Sequence, residues 1–140
     1  MANIGIWAQQ NLLNWCLKGG GTQGVAGPAN IYVGLSLGAP SSISFSEVAA
    51  GSGYARSSGQ FGSATTVTGG APFAGTISNS IANTYGPFSS SATIQGLFIS
   101  DNATLGAGNN LWYGNLATSR IPLANDSLVL GVGALVITLS

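Results

Sequence analysis

Charged side chains are almost absent from this 140-residue sequence, and histidine is missing altogether. A typical soluble domain devotes about a quarter of its residues to charge, whereas this chain devotes 4% and has a net charge of zero. The charged residues are Lys18, Glu47, Arg56, Asp101, Arg120 and Asp126. The surface must therefore consist mainly of neutral polar and apolar groups, which suits a protein held in an assembly. Three basic residues give no positive surface that would attract nucleic acid or an anionic membrane, so we expect neither partner.

The same absences remove most of the groups that enzymes use. Without histidine, the chain cannot supply a Ser-His-Asp or Cys-His arrangement or an imidazole ligand for a metal. Its single cysteine, Cys16, cannot form an internal disulfide. Asp101 and Asp126 each stand beside an asparagine in a turn-like stretch, so local turns explain both carboxylates. We therefore predict no enzyme activity, no catalytic residues, no metal site and no cofactor.

Long hydrophobic runs are also scarce. The longest, Leu128 to Leu139, contains two glycines and is too short to span a bilayer as a helix. The first residues carry no basic region ahead of their apolar positions, so we do not expect a signal peptide. A hydrophobic content of 45% nevertheless argues against disorder, and 140 residues are enough for one domain with its own core.

Residues 3–18 carry the one helical pattern in the sequence. The apolar stripe of this predicted amphipathic helix contains Ile4, Trp7, Leu12 and Trp15. Its tryptophans need a partner surface, because exposed together they would promote aggregation. That partner is either the sheet of the same chain or a neighbouring subunit, and in the second case the stripe forms the partner interface. The helix and the glycine-rich joint after it make up a first unit, residues 1–27.

From Ile31 onward, the hydrophobic period changes to two, as in a half-buried strand. Further short segments of strand-like composition are separated by Gly, Ser and Asn turns. The predicted strands are Ile31–Leu37, Tyr54–Phe61, Ala64–Thr68, Gly75–Asn79, Ile81–Tyr85, Thr93–Ser100, Leu111–Leu116, Leu128–Val132 and Leu135–Leu139. The second unit, residues 28–140, is therefore predicted to be an all-β sandwich or barrel.

Glu47 and Arg56 flank a turn-rich stretch and lie nine residues apart. If the chain reverses there, the two side chains pair and pin the turn; otherwise they are two independent solvated charges. An exposed pair would contribute less than about 1 kcal/mol. A buried pair would cost about 3–5 kcal/mol if one partner were removed, so Arg56→Ala is expected to lower the melting temperature by several degrees.

Trp112 and Tyr113 form a second candidate site. Both rings could stack on a sugar, with Asn109 and Asn110 as polar partners. The alternative is that the two rings, being adjacent in a strand, point to opposite faces and that one of them belongs to the core.

Several motifs, in their order and spacing, resemble small virion proteins of tailed bacteriophages, a family whose members are named head decoration (cement) proteins or tail fibre proteins. The motifs are Tyr32–Ser36 (YVGLS), Glu47, Gly51–Arg56 (GSGYAR), Ile77–Ser80 (ISNS), Thr93–Asp101 (TIQGLFISD), Asn110–Gly114 (NLWYG), Asn125–Leu128 (NDSL) and Ala134–Leu139. The combination of Glu47 with Gly-x-Gly-Tyr-Ala-Arg is the most specific of them. The resemblance covers nearly the whole chain, which departs from the family by its low content of acidic residues.

This resemblance implies a jelly-roll-like antiparallel β-sandwich, made in the host bacterial cytoplasm and displayed on the virion. It also implies a homotrimer on the outer capsid surface, with the major capsid protein as its partner. We therefore expect a capsid decoration protein that stabilises the shell. The alternative is a tail or fibre component that binds a host receptor or glycan.

Overall fold

The computed structural model describes residues 2–5, 28–42, 45–63, 65–67 and 74–139. Within these ranges the chain forms strands and turns and no helix. The strands are β1 (Ala2–Ile4), β2 (Ile31–Ser36), β3 (Ser57–Gly59), β4 (Thr65–Val67), β5 (Ala74–Ser78), β6 (Asn83–Tyr85), β7 (Ile94–Ser100), β8 (Asn110–Arg120), β9 (Leu128–Leu130) and β10 (Val136–Leu139). Each described strand pairing is antiparallel. The predicted all-β, antiparallel class is thus confirmed. The described residues contain no helix long and apolar enough to cross a membrane.

The strands form three sheets around one apolar core. The largest has the order β1-β8-β7-β2-β3, the second β10-β5-β4, and β6 pairs with β9 alone. The Tyr85 hydroxyl of β6 donates to the Val33 carbonyl of β2 at 3.2 Å, which ties the smallest sheet to the largest. The buried core residues are Val33, Leu35, Val48, Tyr54, Tyr85, Phe88, Ile94, Ile99, Leu111 and Ile137.

Alternation along β2 explains which residues enter this core. Val33 and Leu35 lie on one face and are fully buried, as the period-two pattern predicts. Val33 pairs with Ile99 of β7, so branched apolar side chains from neighbouring strands meet on the same face.

The opposite face of β2 and β7 is also covered. Phe98 is fully buried there, and its ring stacks on that of Phe45 with 3.8 Å between centroids. Gly34 is the cross-strand partner of Phe98, and a Cβ at Gly34 would overlap the Phe98 ring. The glycine therefore makes room for an aromatic layer on the outer face of the sheet.

The prediction of a helix beginning at Asn3 is wrong at its start, because Asn3 and Ile4 belong to β1. They pair with Tyr113 and Trp112 of β8, whose free edge offers unpaired backbone groups to an extended segment. β-Branched isoleucine is also common in strands. The rest of the predicted helix and joint, residues 6–27 with Trp7, Leu12 and Trp15, lies outside the described residues. The division at residue 27 stays a prediction.

Candidate functional site

Glu47 and Arg56 form a two-pronged ion pair beside β2. Arg56 Nε donates to Glu47 Oε1 at 2.7 Å and Nη2 donates to Oε2 at 2.8 Å. The side chain of Arg56 is fully buried, and that of Glu47 is 8% exposed. Leu37 N donates to Ser46 O at 2.7 Å, so the segment that carries Glu47 runs alongside the end of β2. Glu47 itself forms a β-bridge with Ser36. The turn returns through Gly53, whose positive φ of 76° favours glycine.

The third nitrogen of the guanidinium, Nη1, fixes the loop that follows β7. Its two hydrogens are shared among three acceptors: Ser100 Oγ at 3.1 Å, the Asn102 carbonyl at 2.6 Å and the Ala107 carbonyl at 2.9 Å. From the other side, Gly106 N donates to Glu47 Oε2 at 2.9 Å. The ion pair thus holds residues 101–109, here called the clamped loop, at both ends and near its tip.

A tyrosine completes the network around the carboxylate. The Tyr54 hydroxyl donates to Glu47 Oε1 at 3.0 Å and accepts the Leu35 backbone N–H at 2.9 Å. The Phe98 ring lies under the guanidinium, with 5.1 Å between the ring centroid and Arg56 Cζ, a distance typical of a cation–π contact. A buried charge is tolerated when its hydrogen bonds are satisfied in this way.

The pKa of Glu47 reflects this environment. Burial alone would raise it, but the hydrogen bond from Arg56, the Gly106 N–H, the charge of Arg56 and the Tyr54 hydroxyl together lower the pKa below the usual value. A lowered folded-state pKa stabilises the fold above the pKa of the unfolded chain, and this stabilisation is lost as the pH falls through the folded value.

We therefore expect the free energy of unfolding to fall as the pH drops below about 4.3, the ordinary pKa of glutamate. Urea unfolding between pH 7 and pH 2.5 would measure this. The Glu47→Gln variant should be less stable than wild type at pH 7 and should lose less stability on acidification. Equal acid dependence of the two proteins would contradict the assignment of the effect to Glu47.

The clamped loop also holds its own polar side chains in place. Asp101 Oδ1 accepts Asn109 N and Oδ2 accepts Asn109 Nδ2, both at 2.7 Å. Asn102 Oδ1 accepts Thr104 N at 2.8 Å, which forms an Asx turn and leaves the Nδ2 group of Asn102 as a donor. Both side chains therefore have fixed orientations.

A polar groove of about 410 Å³ runs between the clamped loop and the start of β2. We call it the Tyr32 groove; its lining consists of Pro28, Ala29, Asn30, Tyr32, Asp101, Asn102 and Ala103. Tyr32 is partly buried and Asn30 is exposed. Neither side chain has a hydrogen-bond partner among the described residues. Sequence reasoning singled out Asp101 only as a turn residue and missed the groove, because residues 28–32 and 101–103 meet only through the pairing of β2 with β7.

The candidate pair Trp112 and Tyr113 has different surroundings. Trp112 packs against the buried core, and both residues contribute to the wall of a mainly apolar cavity of about 240 Å³ between the largest sheet and β10. Their expected polar partners are engaged within the chain: Asn109 binds Asp101, and Asn110 Nδ2 donates to the Ser41 carbonyl at 2.8 Å. The proposed sugar stacking on this pair stays a prediction.

Each carboxylate of the chain holds backbone in place. Glu47 and Asp101 bind the clamped loop, and Asp126 Oδ2 accepts Leu123 N at 2.9 Å in a turn before β9. Among the described residues, no group of three or more His, Cys, Asp or Glu side chains is placed to hold a metal ion.

In a comparison with known protein families, residues 3–138 match the family model described as podophage GP4 fiber I protein gp80. The match includes almost all of the described strands. No curated protein matches the chain.

Proposed function

Because this chain belongs to the family of podophage GP4 fiber I protein gp80, and is thus a structural protein of the phage virion, we propose that it is a fibre component that contacts the host surface. The observation that carries the proposal is the family match over nearly the whole chain. It favours the tail or fibre alternative over capsid decoration, which was the leading expectation from the sequence.

The side-chain chemistry supports binding rather than catalysis. Glycosidases use two carboxyl groups, one on either side of a sugar bond, whereas each carboxylate here already has a structural role. Here Glu47 is bound by Arg56, Asp101 by Asn109 and Asp126 by a backbone N–H. We accordingly propose that the protein acts without catalysis, without a cofactor, and without a nucleic-acid or membrane partner.

We further propose that copies of the chain associate in the virion, with the homotrimer as the expected form, and that the three sheets form a jelly-roll-like sandwich. Large apolar side chains are exposed near the ends of β8, β9 and β10: Ile121, Leu123, Val129, Val132 and Val136. Exposed apolar groups of this kind mark contact surfaces when they adjoin one another. The near absence of charge lets identical copies pack without repulsion.

A cryo-electron microscopy reconstruction of the virion tests the location. We expect density that fits this chain in the fibres at the tail, and gold-labelled antibody against the chain should bind there. Regular copies over the capsid exterior, in contact with the major capsid protein, would overturn the fibre proposal and establish capsid decoration instead. Purified chain added in excess should also reduce phage adsorption if the chain contacts the host.

A further inference from the structure

We infer that the Tyr32 groove is a binding site for a neutral saccharide. The inference rests on the proposed fibre function for the source of the ligand, the host surface. The choice of a saccharide as the ligand rests on the groove alone. The groove combines an aromatic ring, a fixed carboxylate and amide donors at the end of one sheet.

Tyr32 supplies the apolar part of the site. It is partly buried in β2, so its ring is held by the sheet and little side-chain entropy is lost on binding. An aromatic ring with a polar tip offers a flat apolar surface and a hydroxyl together. A sugar ring has the complementary character, with a face of C–H groups and a rim of hydroxyls.

Asp101 supplies acceptors for the hydroxyl rim. An ionised carboxylate has about four acceptor positions, and Asn109 uses one on each oxygen. Capacity for two further donors therefore remains on a carboxylate whose orientation is already fixed. Hydrogen bonds from hydroxyls to a carboxylate are short and stronger than those between neutral groups.

Asn30 and Asn102 supply donors on either side of the groove. The Asn102 amide is oriented by its bond to Thr104 N, whereas Asn30 is exposed at the start of β2. Sugar hydroxyls both donate and accept, so a carboxylate and amides around one ring can bind adjacent hydroxyls.

The charge of the groove selects against acidic ligands. Asp101 is the one charged residue among the described residues that line it, and the nearby guanidinium of Arg56 is buried and occupied by Glu47. A uronic acid, sialic acid or phosphate would place a second negative charge beside Asp101, and the described part of the chain offers no free cation in the groove to offset it. The ligand class is therefore neutral sugar.

The buried ion pair preorganises this site. Arg56 binds the carbonyl of Asn102, one of the lining residues, and so fixes the wall of the groove before any ligand arrives. A site with a rigid supporting shell loses less free energy on binding. This explains why a chain with six charges uses two of them on a buried pair that costs desolvation.

A nuclear magnetic resonance titration of the 15N-labelled full chain tests the inference. The probes are glucose, galactose, mannose, rhamnose and N-acetylglucosamine, with glucuronic acid and sialic acid as acidic comparisons. We expect the side-chain amide signals of Asn30 and Asn102 to shift with at least one neutral sugar. Tyr32→Leu should weaken that binding about tenfold or more, which corresponds to about 1.4 kcal/mol.

Three further variants make the test specific. Tyr32→Phe keeps the ring and should retain binding. Phe61→Leu, a matched loss of a partly buried aromatic ring outside the groove, should bind like wild type. Asn30→Ala removes an exposed amide and should weaken binding several-fold with an unchanged melting temperature, so the inference is testable even if Tyr32→Leu does not fold.

Several results would overturn the inference. These are the absence of binding to every neutral sugar, equal or tighter binding of the acidic sugars, or loss of binding in Phe61→Leu but not in Tyr32→Leu. The location of the chain in the virion is measured separately. Fibre density without sugar binding would refute only this inference, and sugar binding by a capsid-located chain would refute only the fibre proposal.

Discussion

Replacing Arg56 with methionine should lower the free energy of unfolding by about 3–5 kcal/mol, as expected when one partner of a buried ion pair is lost. Methionine is a flexible apolar side chain of similar length that fills most of the same space, so the loss reports on charge and hydrogen bonds more than on a cavity. It leaves the Glu47 carboxylate buried without its cation. It also leaves the carbonyls of Asn102 and Ala107 without the guanidinium donor.

Arg120→Met is the matched control, because Arg120 is exposed at the end of β8. Its effect should stay within about 0.5 kcal/mol. The double variant Glu47→Gln with Arg56→Met should lose less than the sum of the single variants, since it contains no orphaned buried charge. Urea unfolding at pH 7 measures the wild type and these four variants, with Glu47→Gln alone as the fourth. A loss for Arg56→Met no larger than that for Arg120→Met would show that the pair contributes nothing to stability.

The strands of this fold could be predicted from the sequence because their signals are local. Alternation in Ile31–Leu37 specifies β2 and the core face on which Val33 and Leu35 lie. Segments rich in β-branched residues between glycine and asparagine turns specify most of the other strands. The end of β8 extends past the predicted Leu116 to Arg120, where the sequence Ala-Thr-Ser-Arg carries no apolar alternation to mark a strand.

Contacts between distant parts of the chain could not be predicted in this way. The turn-rich stretch between Glu47 and Arg56 left two possibilities open: the side chains pair, or they are two independent solvated charges. The bonds from Arg56 to Ser100 and to the carbonyls of the clamped loop join residues 44 to 51 positions apart. No periodicity encodes them, since they arise from the antiparallel pairing of β2 with β7.

At the start of the chain, a local helical pattern conflicts with a tertiary contact, and the tertiary contact decides the structure. Ile4 fits the apolar stripe of a helix, but hydrogen bonding to the edge of β8 places it in a strand. Intrinsic propensity is a weak preference that tertiary context overrides.

Burial of the outer face of β2 was the feature of this sheet that the sequence predicted least well. Tyr32, Gly34 and Ser36 alternate with the apolar residues, a pattern typical of a solvent-facing strand surface. In the structure Gly34 and Ser36 are buried, because small residues admit Phe98 and Phe45 above them. A period of two therefore identifies the two faces of a strand but does not tell whether the face with small residues meets solvent or an aromatic ring.

The contact between Gly34 and Phe98 predicts that substitutions at these two positions have coupled effects on the free energy of unfolding. Phe98→Ala alone should cost about 3–5 kcal/mol through the cavity that it leaves. Gly34→Ala alone should cost about 1–3 kcal/mol, since its new methyl group would overlap the Phe98 ring in a packed site. In the Phe98→Ala background the same methyl group enters the cavity, so Gly34→Ala should cost nothing or be stabilising.

Gly38→Ala serves as the matched glycine control, because a Cβ there would meet no atom closer than 3.9 Å. Its small effect on the free energy of unfolding should be the same with and without Phe98. The coupling between Gly34 and Phe98, measured as the difference from additivity, should be about 1–3 kcal/mol. Additive costs would mean that the ring moves aside when the methyl group is present. The aromatic layer would then be loosely packed beneath the Arg56 guanidinium.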